Sequence, residues 1–166
     1  FRDPFRYLSV EAAREASAAD CADLEVLLAA SRRDMTRKRG GEVLARLDRS
    51  AYDLAARVHE CLESPEVVVA VGTIDDTTVG YGVMRISEVA DGNPHAVVEE
   101  LFVDSEARSV GVGEALMEYL IEDAKVRGAL WIEALALPGD RATKNFFESQ
   151  RMVARAIVVH RWLDGR

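Results

Sequence analysis

Hydrophobic and polar positions follow two different periods along this chain. From Ser17 to Ser31, Leu24, Leu27 and Leu28 form one apolar stripe at helical spacing, with Ser17 or Asp20 placed to cap the start. Gly40-Gly41 interrupts that pattern. A second helical stretch is expected from Glu42 to Leu62, where Leu44, Leu47, Tyr52, Leu54, Ala55, Val58 and Leu62 recur on one face. After Ser64-Pro65 the character changes. Val67, Val68, Val69, Val71 and Ile74 make a β-branched run, Asp75-Asp76 a turn, and Thr77 to Ile86 a returning strand, which together predict a hairpin. Asp91-Gly92-Asn93-Pro94 marks another turn, and His95 to Val103 a third strand of this group.

The helical period returns at Val112 to Val126, where Leu116, Met117, Leu120, Ile121 and Ala124 share a face. Glu114 sits near its start and Lys125 and Arg127 near its end, as the helix dipole favours, and Gly128 is the stop. Ala129 to Leu137 reads as a strand. Pro138-Gly139-Asp140 turns into a short helix from Arg141 to Gln150, and Ala154 to Leu163 reads as a final strand. Arg6 to Val10 supplies the first strand. The order β, α, α, β, β, β, α, β, α, β predicts a mixed α/β fold, and with no repeat or linker a single domain over 1–166 is expected.

The chain has 166 residues, 49% of them apolar, enough for one sizeable core. Its formal charge of −8 argues against a nucleic-acid partner and suits a cationic one. The basic cluster Arg32, Arg33, Arg37, Lys38 and Arg39 runs against that balance; it reads as a solvated helix end, with a phosphate or RNA contact as the alternative. Cys21 and Cys61 form no Cys-x-x-Cys pair and His59, His95 and His160 are scattered, so no metal site is expected. No apolar run has the length of a membrane span, and FRDPFRYLSV is charged and broken by Pro4, unlike a signal peptide. A cytoplasmic protein without membrane contact is the expectation.

The chemistry concentrates in Arg108-Ser109-Val110-Gly111-Val112-Gly113, just before the helix at 112–126. A helix start leaves backbone N–H groups unpaired, and with the helix dipole these favour an anion. Glycines there remove side chains that would block the approach and permit positive φ, while Arg108 adds a guanidinium whose fork matches phosphate. A plain β–α turn is the competing reading. Glu114 and Ala115 stand where a P-loop requires Lys and Ser or Thr, and Leu116 where the dinucleotide fingerprint requires a third small residue.

Val-Glu-Glu-Leu-Phe-Val at 98–103, then Arg-x-x-Gly-x-Gly from Arg108, then PGDRATKNFFES from Pro138, together resemble the GNAT family of N-acetyltransferases. The resemblance is specific from about 67 to 163 and loose in the N-terminal helices. It implies a mixed, mostly antiparallel sheet of six to seven strands with helices on both faces, splayed in the middle beside a β-bulge. It implies acetyl-CoA as cosubstrate, with pantetheine along Leu101, Phe102 and Val103. The pyrophosphate would rest on Ser109, Val110, Gly111, Val112 and Gly113, with Arg108 and Glu114 adjoining. Asp140 stands where relatives place an Asn against the cofactor.

Glu99 and Glu100 are the candidate bases, Glu99 favoured by the resemblance. Neighbours on a strand point to opposite faces, so at most one is expected to face the amine unless a bulge intervenes. Pairing of both acids with basic side chains is the competing reading. Phe147 replaces the tyrosine that protonates the departing thiolate in many relatives; Tyr52, Tyr81 or Ser149 are candidate substitutes. The implied acceptor is a small-molecule or peptide amine. A non-catalytic acyl-CoA-binding module is the alternative function, and a homodimer through the edge at 154–163 is an implied assembly.

Overall fold

The structure, a computed structural model, describes residues 10–48 and 53–165. Five strands form one sheet in the order β1 (Glu11–Glu15), β2 (Val67–Ile74), β3 (Thr77–Glu88), β4 (Pro94–Val103) and β5 (Ile132–Ala134). The first four are antiparallel neighbours, while β5 lies parallel to β4. The helices are α1 (Cys21–Thr36), α2 (Gly41–Leu47), α3 (Leu54–Glu63), α4 (Val112–Val126) and α5 (Arg141–Ser149).

The sheet is covered on both faces, which explains why β2 reads as a continuous apolar run rather than an alternating one. Val67, Val69 and Val71 pack with Leu24, Leu27 and Leu28 of α1 and Val58 of α3. Val68 and Ala70 face the other way, against Val112, Leu116, Met117 and Leu120 of α4 and Phe147 of α5. Each of the larger side chains, Val, Leu, Met or Phe, contributes about 1.5–3 kcal/mol by leaving water.

Among the described residues five strands stand where six to seven were expected, and several boundaries move. The first strand is Glu11–Glu15, paired from Glu11↔Ile74 to Glu15↔Ala70; of the expected strand at 6–10, positions 6–9 lie outside the described residues and Val10 is exposed and not in a strand. The helix expected at 42–62 is two helices. Asp48, in extended conformation, ends α2, and the Asp53 side chain starts α3 by accepting from the Ala56 amide at 2.9 Å. The strand expected at 129–137 pairs only over Ile132–Ala134. Residues 154–163 form no strand, because no neighbouring strand pairs with them among the described residues. Val153, Ile157, Val158 and Val159 are all more than four-fifths exposed.

Candidate functional site

The parallel strands β4 and β5 pair only from Ala96↔Ile132 to Val98↔Ala134 and then part. The parting coincides with a bulge: Met84 opposes Val98 and Val83 opposes Glu100, so Glu99 is the extra residue. Beyond it Leu101, Phe102 and Val103 still pair with Gly82, Tyr81 and Gly80 of β3, but among the described residues no strand pairs with their other edge. That edge of backbone amides and carbonyls borders a gap in the pairing of the sheet, whose far rim is the segment after β5 that leads to α5.

Past the end of β4 the chain turns into α4. Ser109 has φ 65° and Gly111 φ 102°, so two residues of the turn are left-handed, a pattern that turns successive N–H groups inward. A non-glycine at 111 would be strained in that conformation. Gly111 is the N-cap of α4 and no side chain caps the helix, whereas Asp53 and Asp140 cap α3 and α5. The first amides of α4 therefore have no side-chain cap, as is also true of α1 and α2. Ser109, Val110 and Glu114 are exposed, Val112 is buried, and the Phe146 ring would lie 3.3 Å from a Cβ at Gly113. Glu11 of β1 lies beside Gly111.

Arg108 is already engaged. Its Nε donates to the Val103 carbonyl at 2.9 Å, its Nη2 pairs with Asp34 at 3.3 Å, and its guanidinium lies 5.5 Å from the Phe102 ring centre. One carbonyl expected to meet pantetheine thus carries an arginine hydrogen bond.

The bulge brings both acids to one side. Arg57 Nη2 lies 3.0 Å from Glu99 Oε2 and 3.6 Å from Glu100 Oε1. Arg85 Nε holds the other Glu99 oxygen at 2.7 Å, and the buried Tyr81 hydroxyl donates to Glu100 Oε2 at 2.7 Å. The expectation that only one acid faces a given side is corrected: the extra residue cancels the strand alternation. Burial, and then the Glu100 charge, push the Tyr81 hydroxyl well above its ordinary range. Burial opposes the Arg57 charge, yet Cys61, Glu99 and Glu100 leave its pKa raised overall. Burial also raises the Cys61 thiol, against the pull of Arg57. Arg57 and Arg85 were not legible as site residues, since nothing local ties Arg57 to an acid 42 positions away, and Tyr81, expected as a candidate proton donor, is found holding Glu100 instead.

On the far rim Asp140 caps α5, accepting from the Thr143 amide at 3.1 Å and its hydroxyl at 2.8 Å, and pairs with Lys38 Nζ at 2.8 Å. Burial works against its charge, but Lys38 and Thr143 hold its pKa below the ordinary value. Phe147 is buried in the core under α4. Of the candidate proton donors, Tyr81 is committed to Glu100, and Ser149 Oγ donates to the Phe146 carbonyl at 2.6 Å. Tyr52 lies outside the described residues. Among the described residues no group of His, Cys, Asp or Glu is arranged to hold a metal, and no helix is long and apolar enough to cross a membrane.

Parallel strands that stop pairing beside a bulge, followed by a helix start without a side-chain cap, are the features that mark this α/β fold. The model of the Acetyltransferase (GNAT) family matches residues 32–151, and the chain belongs to that family. Similar folds include a transcriptional regulator from Bacillus halodurans C-125, at 18% identity over 93% of this chain and 100% of that one with a TM-score of 0.72. An aminoglycoside N-acetyltransferase in complex with CoA shares 15% identity over 93% and 96% of the two chains with a TM-score of 0.70. A ribosomal-protein-alanine N-acetyltransferase from Brucella melitensis biovar Abortus 2308 shares 15% identity over 92% and 100% with a TM-score of 0.67. At these identities the likeness is one of fold. No curated protein matches the sequence.

Proposed function

We propose that this chain is an acetyl-CoA-dependent N-acetyltransferase acting on a primary amine by direct attack. The observation that carries the reading is the uncapped start of α4, with Ser109 and Gly111 left-handed, at the open end of the gap beside β4. The turn suits a pyrophosphate: its amides at 111–114 lack a side-chain cap, and Gly111 takes the left-handed conformation, while Gly113 makes room for the Phe146 ring. The backbone edge of Leu101, Phe102 and Val103 would hold the pantetheine amides, and Arg108 and Ser109 would flank the phosphates. Bound there, acetyl-CoA supplies an activated acetyl group.

The amine must lose a proton to attack. Glu99 is the proposed base. It lies at the bulge with its side chain 28% exposed, against 17% for Glu100, which the Tyr81 hydroxyl holds. Both Glu99 oxygens carry guanidinium groups, so the incoming amine displaces one of them. Phe147 offers no proton to the leaving sulfur, but a thiol pKa of about 8.5 makes thiolate a tolerable leaving group.

One observation favours a second reading, a non-catalytic acyl-CoA-binding module. Phe147 has no hydroxyl, and Asp140 is occupied by Lys38 and by the α5 cap. Calorimetric titration with acetyl-CoA and with CoA tests the common part. Wild type binds both, and Gly111→Trp, with its fold checked by thermal melting, binds neither. CoA release with a panel of primary amines then separates the two readings. Turnover supports the enzyme. Binding without turnover that Phe147→Tyr does not restore supports the module. Failure of wild type to bind either ligand removes both.

A further inference from the structure

The basic cluster at the end of α1 is not simply solvated. Lys38 Nζ lies 3.1 Å from Asp34 Oδ2 and 2.8 Å from Asp140 Oδ2. Asp34 in turn receives Arg108 Nη2 at 3.3 Å, and Arg108 Nε is tied to the carbonyl of Val103, the last residue of β4. Asp140 caps α5, a few residues beyond β5. β4 and β5 run parallel and part after Val98 and Ala134, so the chain Arg108–Asp34–Lys38–Asp140 connects their diverging ends. A second contact runs the same way: a Cβ on Gly40 would lie 3.5 Å from Leu137 and 3.7 Å from Pro138, on the far rim. The turn that makes these contacts is fixed, because a Cβ on buried Gly41 would fall 1.8 Å from the Met35 carbonyl oxygen.

We propose that Lys38 is a positioning residue for the acyl-CoA site: by pairing with Asp34 and Asp140 it bolts the segment 34–40 across the open end of the gap between β4 and β5. The inference rests on the reading of that gap as the acyl-CoA groove. The strap converts an open groove into a channel, and a ligand lying in it leaves only when the Lys38 pairs part. The strap is also coupled to occupancy. A pyrophosphate at 109–113 draws on the Arg108 guanidinium that Asp34 now holds. Asp34 is then left to Lys38 alone, and the bolt tightens. Lys38 keeps its charge for this role, because burial is outweighed by the two carboxylates and its pKa is raised.

The test compares the full chain as wild type, Lys38→Met, Lys38→Arg and Asp34→Asn, with folding checked by thermal melting. Hydrogen–deuterium exchange of 34–40 is followed with and without CoA, and CoA dissociation is timed by stopped flow. In wild type and Lys38→Arg, CoA slows exchange across 34–40. In Lys38→Met that slowing is lost and CoA dissociates roughly three- to tenfold faster, the scale of two partly exposed ion pairs. Asp34→Asn moves both readouts the same way by less, and serves if Lys38→Met does not fold. Wild-type dissociation and wild-type protection in both Lys38→Met and Asp34→Asn overturn the strap while leaving the acyl-CoA reading intact. A wild type that binds no CoA overturns both.

Discussion

Removing one oxygen from Tyr81 measures what the acidic pair at the bulge contributes to the fold. The Tyr81 ring is fully buried and tilts against Phe102 with ring centres 6.3 Å apart. Its hydroxyl donates to Glu100 Oε2 at 2.7 Å and also shares a hydrogen bond with the Ser31 side chain, while Arg57 lies 3.6 Å from the Glu100 carboxylate. Tyr81→Phe keeps the ring packing and deletes the closer hydrogen bond. A hydrogen bond to a charged group is worth about 1.5–3 kcal/mol. In a chain of this length 1 kcal/mol moves the melting temperature by roughly 2–4 °C, so the variant should melt roughly 3–12 °C lower at pH 7. The pH dependence gives a second, sharper reading. Burial raises the folded pKa of Tyr81 above the ordinary value of 10.0. Its contribution is therefore fully present below pH 10 and declines as pH rises beyond that, because the unfolded chain ionises first. Cys61 behaves similarly from its ordinary value of 9.0, but it is present in both proteins and cancels in the difference. Melting followed by circular dichroism from pH 7 to about pH 11 should show the two proteins converging above pH 10. Melting temperatures equal within about 1 °C at pH 7, or parallel curves to the alkaline end, would refute the assignment of this hydrogen bond.

Two further substitutions probe other parts of the scaffold. Asp20 is held at a pKa of about 2, chiefly by the Arg14 hydrogen bonds at 2.7 and 2.9 Å and also by the Ser17 amide at 2.8 Å. Its stabilisation is present above the ordinary 3.8 and lost as pH falls through about 2. Asp20→Asn should cost about 1–2 kcal/mol at pH 7, allowing for the half-exposed Arg14, with the difference disappearing in acid as measured by urea titration at several pH values. Gly72→Ala places a Cβ 2.6 Å from Val112 Cγ1, between β2 and the first turn of α4. It should cost about 1–3 kcal/mol in denaturant unfolding and, by shifting the start of α4, weaken CoA binding in calorimetry.

The legible parts of the sequence were those where one local pattern decides the outcome. Leu24, Leu27 and Leu28 lie buried as their spacing requires, and Leu116, Met117 and Leu120 likewise. The glycine turn and the bulge are motif-length features and stand where the motif places them. Local reading failed where pairing decides instead. Glu11–Glu15 has the composition of a helix or loop and is a strand because the edge of β2 accepts it. The β-branched stretch at 153–159 has strand propensity but finds no ladder among the described residues, and Arg155 reaches Glu133 through its side chain. Helical spacing from Glu42 to Leu62 runs unbroken through a real break, because period alone does not register the Asp53 cap. The network of Lys38 with Asp140 joins positions 102 apart, a separation no local pattern reveals.

The bulge at Glu99 links the two halves of the proposed chemistry. An extra residue in β4 ends the pairing with β5, which frees the edge from Leu101 to Val103. The same residue places two consecutive carboxylates on one side, a costly arrangement unless both are paired. Arg57, Arg85 and Tyr81 meet that need, although the Arg57 Nε is buried without a hydrogen-bond partner among the described residues. Under the proposed function, this pairing bears on which acceptor is admitted. An amine approaching Glu99 as an ammonium replaces a guanidinium with another cation, so the carboxylates never stand uncompensated. A neutral or anionic acceptor would have to leave a partly buried carboxylate short of its partner while it bound. Under that proposal, charge exchange at this position would favour cationic amines for a local reason, independent of the net charge of −8.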